Sequence, residues 1–460
     1  MSLTAMPAKA HTLLPRPPGP RGGFPGALLV ELRRDILGLM TRLARDYGDI
    51  TYIETGGMRF YFVSSPEYIR DVLITNHRNF TKSRGLEVTK VVLGEGLLTS
   101  EGEFHRRQRR LMQPAFHWQR IQTYAQIMTD YSARLRSQWE ARGDSQAPLD
   151  IHQEMMWLTL AIVGKTLFNT DVEEEASEIE AAMNIMMPMF NFALLPFAEY
   201  LVRLPLPMNR RFERAKQRVD DTIYRIINEH RQQGVDQGDL VSMLLLAQDE
   251  EGSGGMTDLQ VHDEALTIFL AGHETTAVAL SYTWYLLAQH PEIEAKLHAE
   301  IDDVLGGRLP TPQDLPQLRY TEMVLAEAMR LYPPAYAIGR RAINDYQLGE
   351  YCVPAGATII MSPWVMHRDA QYYPDPTRFD PERWTPEAKE VRPKFSYFPF
   401  GGGPRICIGE GFAWMEGVLL IATLAQQWQM RLAPDFKLAL NPLITLRPKG
   451  GISMVLERRI

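Results

Sequence analysis

Of the two cysteines, Cys352 and Cys407, the second sits where chemistry could use it. Residues 398–409 read Phe-Pro-Phe-Gly-Gly-Gly-Pro-Arg-Ile-Cys-Ile-Gly, so a glycine-rich loop delivers one thiol directly onto the start of a helix. Glycine and proline let such a loop turn tightly and let its backbone approach a flat ligand closely. Backbone amides around Cys407 and the positive end of the following helix would favour the thiolate, the form that binds metal. The plain alternative is a small buried hydrophobe, the usual fate of a free cysteine. Cys352 lies in a strand-like segment, Gly-Glu-Tyr-Cys-Val-Pro at 349–354, and is assigned to packing.

Three further groupings stand out. Ala271-Gly272-His273-Glu274-Thr275-Thr276 falls midway along a long helical pattern. Glycine there costs about 1 kcal/mol against alanine, and adjacent β-branched threonines add to it. Such a segment is not built for helix stability. Gly272 would leave room for a ligand against the backbone, and Thr275 can bond the carbonyl four residues back and open a groove. Glu327 and Arg330 are spaced i, i+3 and share a helix face. His105 and Arg109, spaced i, i+4 within Glu-Phe-His-Arg-Arg-Gln-Arg-Arg at 103–110, share another.

Phe400, Gly403, Arg405, Cys407 and Gly409 resemble, position by position, the heme-binding loop of the cytochrome P450 family. The other groupings follow the family's order along nearly the whole chain. The resemblance implies a mainly α fold with a small β-rich lobe, a triangular helical prism whose long central helix crosses over a heme b. Carried over residue by residue, Cys407 is the axial iron ligand, and Phe400 and Gly272 lie against the cofactor. Glu274 and Thr275 relay protons to dioxygen, whose O–O bond the thiolate weakens. Glu327 and Arg330, with Arg383 of Pro381-Glu382-Arg383, form a buried ionic network that supports the cysteine loop. His105, Arg109, Arg340 and Arg405 hold the heme propionates, since buried carboxylates need charged donors. His105 stands where tryptophan is commoner. Arg341 adjoins Arg340, so either could be the donor.

The elements that must position these residues can be read from pattern. The 460 residues contain 45% apolar and 23% charged residues, ordinary globular usage, and the formal charge of −7 gives no general sign of nucleic-acid binding. Residues 1–26 hold six prolines and are read as an extended arm, with residues 27–460 as one catalytic domain. Segments 51–55 and 58–63 flank Gly56-Gly57, a β-hairpin signal. The longest helix starts at the capping box Thr257-Asp258-Leu259-Gln260 and is expected to run to His290, where Pro291 stops it. A helix over 320–331 ends at Pro333-Pro334. Short strands over 340–362 turn at Pro354-Ala355-Gly356, and a loop over 370–406 follows. An amphipathic helix is expected from Gly409 to about Trp428.

By similar placement, Val91, Val92, Phe269, Ala271, Ala335, Tyr336, Ile338, Leu443 and Ile444 would line the substrate pocket. None carries a charge, which favours a fatty acid, terpenoid or steroid-like substrate. Residues 183–202 are apolar but broken by Pro188 and Pro196. They read as a lid over the substrate entrance, with interior packing or a shallow membrane contact as alternatives. Arg106, Arg107 and Arg110 are either a solvated face or a docking patch for an acidic electron donor. With no glycine-rich flavin or nicotinamide fingerprint present, a separate ferredoxin or flavodoxin with its reductase is expected to supply electrons. The paucity of cysteines and the lack of a signal peptide or spanning segment point to a cytoplasmic protein, although the proline-rich start also resembles the hinge of trimmed microsomal members. The expected activity is monooxygenation by O2. A peroxide-driven peroxygenase or hydroperoxide isomerase, or a non-catalytic heme sensor, are the alternatives.

Overall fold

In the computed structural model, residues 15–20, 27–142, 147–170, 206–247 and 254–459 are described, with isolated positions between 181 and 204. The lid segment 183–202 therefore lies almost wholly outside the described residues, as does most of the arm. Residues 15–20 of the arm have no regular structure; the Pro18 carbonyl accepts from the Tyr52 amide at 2.9 Å and Arg16 stacks over the Tyr52 ring.

The helices used below are α1 (Ile36–Tyr47), α2 (Gly102–Met112), α3 (Trp118–Ala141), α4 (Ile151–Phe168), α5 (Pro207–Gln233), α6 (Asp258–Leu287), α7 (Pro291–Leu305), α8 (Arg319–Leu331) and α9 (Glu410–Ala425). The capping box at Thr257 forms as its sequence predicts: the Thr257 hydroxyl accepts from the Gln260 amide, and the Gln260 side chain accepts from the Thr257 amide. α6 ends at Leu287 rather than His290. Pro291 excludes the helical conformation for His290, which sits at φ −131°, and instead opens α7 as its first residue.

α6 is buried along most of its length and packs most extensively on α4, then on α8, α5 and α9. α9 is also buried almost throughout, from Met415 to Ala425, so the expected amphipathic helix is a core helix enclosed by α3, α6, α7 and α8. It stops at Ala425, and Trp428 begins a strand.

The β lobe is a five-stranded sheet in the order β1 (Ile50–Thr55), β2 (Met58–Val63), β8 (Thr358–Met361), β5 (Ile338–Ala342), β3 (Phe80–Lys82). The β1–β2 hairpin turns through Gly56 and Gly57, both at positive φ, as a two-residue turn of this hand requires. In β3–β5 the register sets Lys82 opposite Arg340, an unfavourable like-charge pair unless anions lie nearby. β6 (Tyr346–Leu348) and β7 (Tyr351–Val353) form a small ladder in which the half-buried Cys352 contributes its carbonyl to Tyr61 Oη. A three-stranded sheet joins β4 (Leu149–Asp150), β12 (Ser453–Arg458) and β9 (Trp428–Leu432). Finally, β10 (Leu440–Pro442) and β11 (Leu446–Pro448) make a hairpin with Leu443, Ile444 and Thr445 at its tip.

The Glu327–Arg330 pair on α8 has no exposed side-chain surface. Arg330 donates to both Glu327 oxygens at 2.8 Å and to the carbonyls of His367, Pro376 and Arg378 at 2.7–3.0 Å. Glu327 also accepts from Trp384 Nε1 at 2.9 Å and the Asp380 amide at 3.0 Å, with Arg383 Nε at 3.4 Å. Removing one member would strand the other in the core. Glu327→Ala should therefore cost about 3–5 kcal/mol of stability, read as a large fall in the thermal unfolding midpoint; an unchanged midpoint would contradict this account of the pair.

Candidate active site

The cysteine loop is held from both ends. Phe398, at its start, donates its amide to Nε2 of the fully buried His367 at 3.0 Å, and the Cys407 amide donates to the Phe400 carbonyl at 3.0 Å. Gly401 and Gly403 take positive φ values of 77° and 68°, and a side chain at Gly403 would collide with the Leu73 carbonyl oxygen. Glycine is required there by the turn and by close approach together. α9 begins just beyond, with Gly409 as its N-cap. The Phe400 ring lies 5.9 Å from that of Trp414 on α9.

Cys407 reaches accessible space, yet protein surrounds it closely enough that burial pushes the thiol above its ordinary value. The Gly409 amide and Arg109 favour the thiolate, as the sequence suggests, against the larger opposing effect of burial. A coordinated cation would secure the thiolate. Among the described residues no cluster of three or more His, Cys, Asp or Glu could share a metal ion with it.

Next to this loop the fold gathers cations. Arg109 Nη1 donates to the Ile406 carbonyl at 2.8 Å, which binds α2 to the residue before Cys407. Arg405 donates to the Ser100 carbonyl at 2.8 Å and pairs with Glu101. Arg340 is buried, whereas Arg341 is half-buried and faces Glu87 at 3.5 Å. Burial and the charge of Arg405 push Arg340 down to about 10 and the buried His105 down to about 3. Lys82, which sequence reasoning missed, belongs to the same cluster. It donates to the carbonyls of Leu97 and Leu98, and burial followed by the charge of Arg405 lowers it to about 6. Its signal was the like-charge pair across β3–β5, legible once the strand register is known.

Five basic side chains are thus drawn together near Arg405, and burial first, then mutual repulsion, lowers Lys82, His105, Arg340 and Arg405. A flat ligand carrying carboxylates would supply compensating negative charge. The accessible thiol and this donor set fit heme.

Arg106 is exposed and paired with Glu103, and Arg110 is exposed. Arg107 instead turns inward to the carbonyls of Gly254 and Gly255 at 2.8 and 3.1 Å, so it leaves the docking face expected from its sequence position.

On α6, Ala271 is exposed and Gly272 and Thr275 are half-buried, within a helix otherwise enclosed by protein. Thr275 Oγ1 donates to the Ala271 carbonyl at 2.8 Å, the predicted bond to the residue four back. A side chain at Gly272 would press on Val163 at 3.1 Å, so this glycine also admits the close approach of α4. Phe269 does not line the accessible stripe. Two residues from Ala271 it points to the other side of the helix, where it is 1% exposed and packs edge-on against Phe168.

Glu274 is buried, and its hydrogen bonds run to Arg447 Nε at 2.7 Å and to the Thr445 hydroxyl on the C-terminal hairpin. Arg447 was not among the expected residues. Of the other pocket candidates, Ala335, Ile338, Leu443 and Ile444 are half-buried, Val92 is buried and Val91 is exposed. Tyr336 is buried in the core beside the β lobe and donates its hydroxyl to the Leu443 carbonyl at 2.8 Å, so it anchors the hairpin tip.

A long helix with an accessible threonine stripe, a looped thiol and a nest of cations define a heme-thiolate monooxygenase. The family model described as Cytochrome P450 matches residues 16–454, and the chain belongs to that family and has its fold. It is 39% identical to cyclooctatin synthase of Streptomyces melanosporofaciens, over 98% of this chain and 96% of that protein. Cyclooctat-9-en-7-ol 5-monooxygenase of the same organism is 38% identical over 90% of this chain and 89% of its own. Pentalenene oxygenase of Streptomyces avermitilis is 36% identical over 90% and 92%. Among the described residues no helix is long and apolar enough to cross a membrane.

Glu416 on α9 was also missed. It is fully buried, neither carboxyl oxygen has a hydrogen-bond partner at proper distance, and its polar neighbour is the Thr276 hydroxyl. Burial pushes it up to about 8. The unfolded carboxyl ionises near 4.3, so the folded state holds an extra proton between the two values. Its stability contribution is full in acid and is lost as pH rises through that window. Glu416→Gln should therefore gain thermal stability relative to wild type between about pH 5 and 8. Parallel unfolding-midpoint profiles for the two proteins would contradict this.

Proposed function

We propose that the protein hydroxylates or epoxidises a largely hydrocarbon, ring-built substrate of terpenoid type, and that Cys407 would ligate the iron of a heme b. The observation that carries the reading is the pairing of an accessible thiol on a glycine loop with an accessible Ala271–Thr275 stripe on an otherwise buried helix. The substrate class is supported by the relatives, whose names denote an unsaturated alcohol, cyclooctat-9-en-7-ol, and an unsaturated hydrocarbon, pentalenene. It is further supported by Ala271, Val92, Ala335, Ile338, Leu443 and Ile444, none of which bears a charge for a polar head group.

Bound to Cys407, heme would supply the binding and reductive activation of dioxygen. His105, Arg109, Arg340 and Arg405, joined by Lys82, would hold its propionates. Phe400 supports the loop that presents the accessible sulfur. Thr275 holds a proton at Oγ1, which it lends to the Ala271 carbonyl and can present to a distal ligand, and Glu274 is its acidic partner. Residues from 27 onward act as one catalytic unit in the cytoplasm. Electrons arrive from a separate ferredoxin or flavodoxin that docks near Arg106 and Arg110.

Holoprotein given NADPH, a surrogate ferredoxin and its reductase should convert a cyclic terpene alcohol to a product with one added oxygen from O2. Fatty acids or steroids as sole substrates would overturn the class. In Thr275→Ala, product per NADPH should fall about tenfold or more while hydrogen peroxide rises; fully coupled hydroxylation in this variant would sink the relay assignment.

A further inference from the structure

The acid beside Thr275 is turned away from it. Glu274 directs its hydrogen bonds to Arg447 and Thr445, while the Thr275 hydroxyl donates to the Ala271 carbonyl. Both partners of Glu274 belong to one hairpin, directly after the tip residues Leu443 and Ile444. That tip is tied to the chain beyond α8 by two bonds: Tyr336 Oη donates to the Leu443 carbonyl at 2.8 Å, and the Leu446 amide donates to the Pro334 carbonyl at 2.9 Å. The hairpin therefore carries the half-buried, expected pocket residues Leu443 and Ile444 at its tip and, immediately after them, the two partners of Glu274.

The surroundings of Glu274 leave Arg447 as the charge that matters. Burial alone would raise the carboxyl, but the Arg447 bond and charge, with the Thr445 hydroxyl, bring it below its ordinary value. His273 on the same helix is buried, lowered by burial, and bonded to the Phe269 carbonyl. His152 on α4 lies at 3.1 Å from Ser281 Oγ and is lowered to about 4, so it is neutral near pH 7. Glu416 on α9 faces Thr276, not Glu274. A carboxylate this deep and this tightly paired is a poor proton donor until the pair loosens.

We propose that Arg447 is a positioning residue that holds the Glu274 carboxylate against the C-terminal hairpin, so that the conformation of this hairpin sets when the proton relay operates. The inference rests on the assignment of Glu274 and Thr275 as that relay. Its function would be to suppress wasteful turnover. In that side reaction NADPH gives two electrons through the redox partner, dioxygen takes them with two protons, and hydrogen peroxide leaves.

The test needs no organic substrate. Holoprotein with NADPH, surrogate ferredoxin and reductase is assayed for NADPH oxidation and peroxide, with infrared spectroscopy of the carboxyl groups as the second readout. Arg447→Gln should raise the substrate-free leak about tenfold and add a protonated-carboxyl band near neutral pH. Arg447→Lys should restore both toward wild type, and Glu274→Gln placed in the Arg447→Gln background should remove both. Tyr336→Phe, which frees the hairpin tip without touching the pair, should raise the leak in part. An unchanged leak and an unchanged carboxyl spectrum in Arg447→Gln would make the pair purely structural and overturn the proposal. Should Arg447→Gln fail to fold, Thr445→Val is read in its place: a smaller rise supports the proposal and no rise overturns it. A wild type that consumes no dioxygen with NADPH would instead strike the functional reading beneath it.

Discussion

Arg330 organises the chain that presents the reactive cysteine. All five of its guanidinium hydrogens are used, two on Glu327 and three on backbone carbonyls between His367 and Arg378. A buried arginine is costly unless it is satisfied to this degree. The loop it ties down has little regular structure of its own, so few other interactions fix its path. His367 continues the chain of constraint: its carbonyl accepts from Arg330 and its ring nitrogen accepts the amide of Phe398. Two links therefore join a core helix to the first residue of the thiol loop.

From that loop the constraints run outward to charge. Arg109 grips the carbonyl before Cys407, Arg405 reaches back to Ser100 and Glu101, and Arg340 and Lys82 come in from paired strands. The fold tolerates this concentration of cations against two nearby carboxylates, Glu101 and Glu264. Within the protein alone the arrangement is unfavourable, as the lowered values of Lys82, His105 and Arg340 record. It becomes favourable with a ligand that brings carboxylates, and a site built at such cost is best understood as a ligand's seat.

The parts legible in the sequence were those whose chemistry is local. The glycine loop, the capping box at Thr257, the i, i+3 pair at Glu327 and Arg330, and the bond from Thr275 to Ala271 each depend on neighbours a few residues away. Lys82, His367, Glu416 and Arg447 were not legible, because each acquires its role from a partner far along the chain. Phe269 marks a subtler failure. Placing it by family order ignored the helical phase, which turns it toward Phe168. The final helix read as amphipathic because its first turn carries Glu410 and its end adjoins polar glutamines, whereas burial on every side emerges only when four other helices are in place.

All of this converges on Cys407 as the thiolate ligand of a heme iron, and one spectrum tests that claim. The reduced protein under carbon monoxide should show the strongly red-shifted Soret band that a trans thiolate produces, and Cys407→Ala should lose it. A band at the position given by histidine ligation in the unaltered protein, or one that survives in Cys407→Ala, would contradict the account.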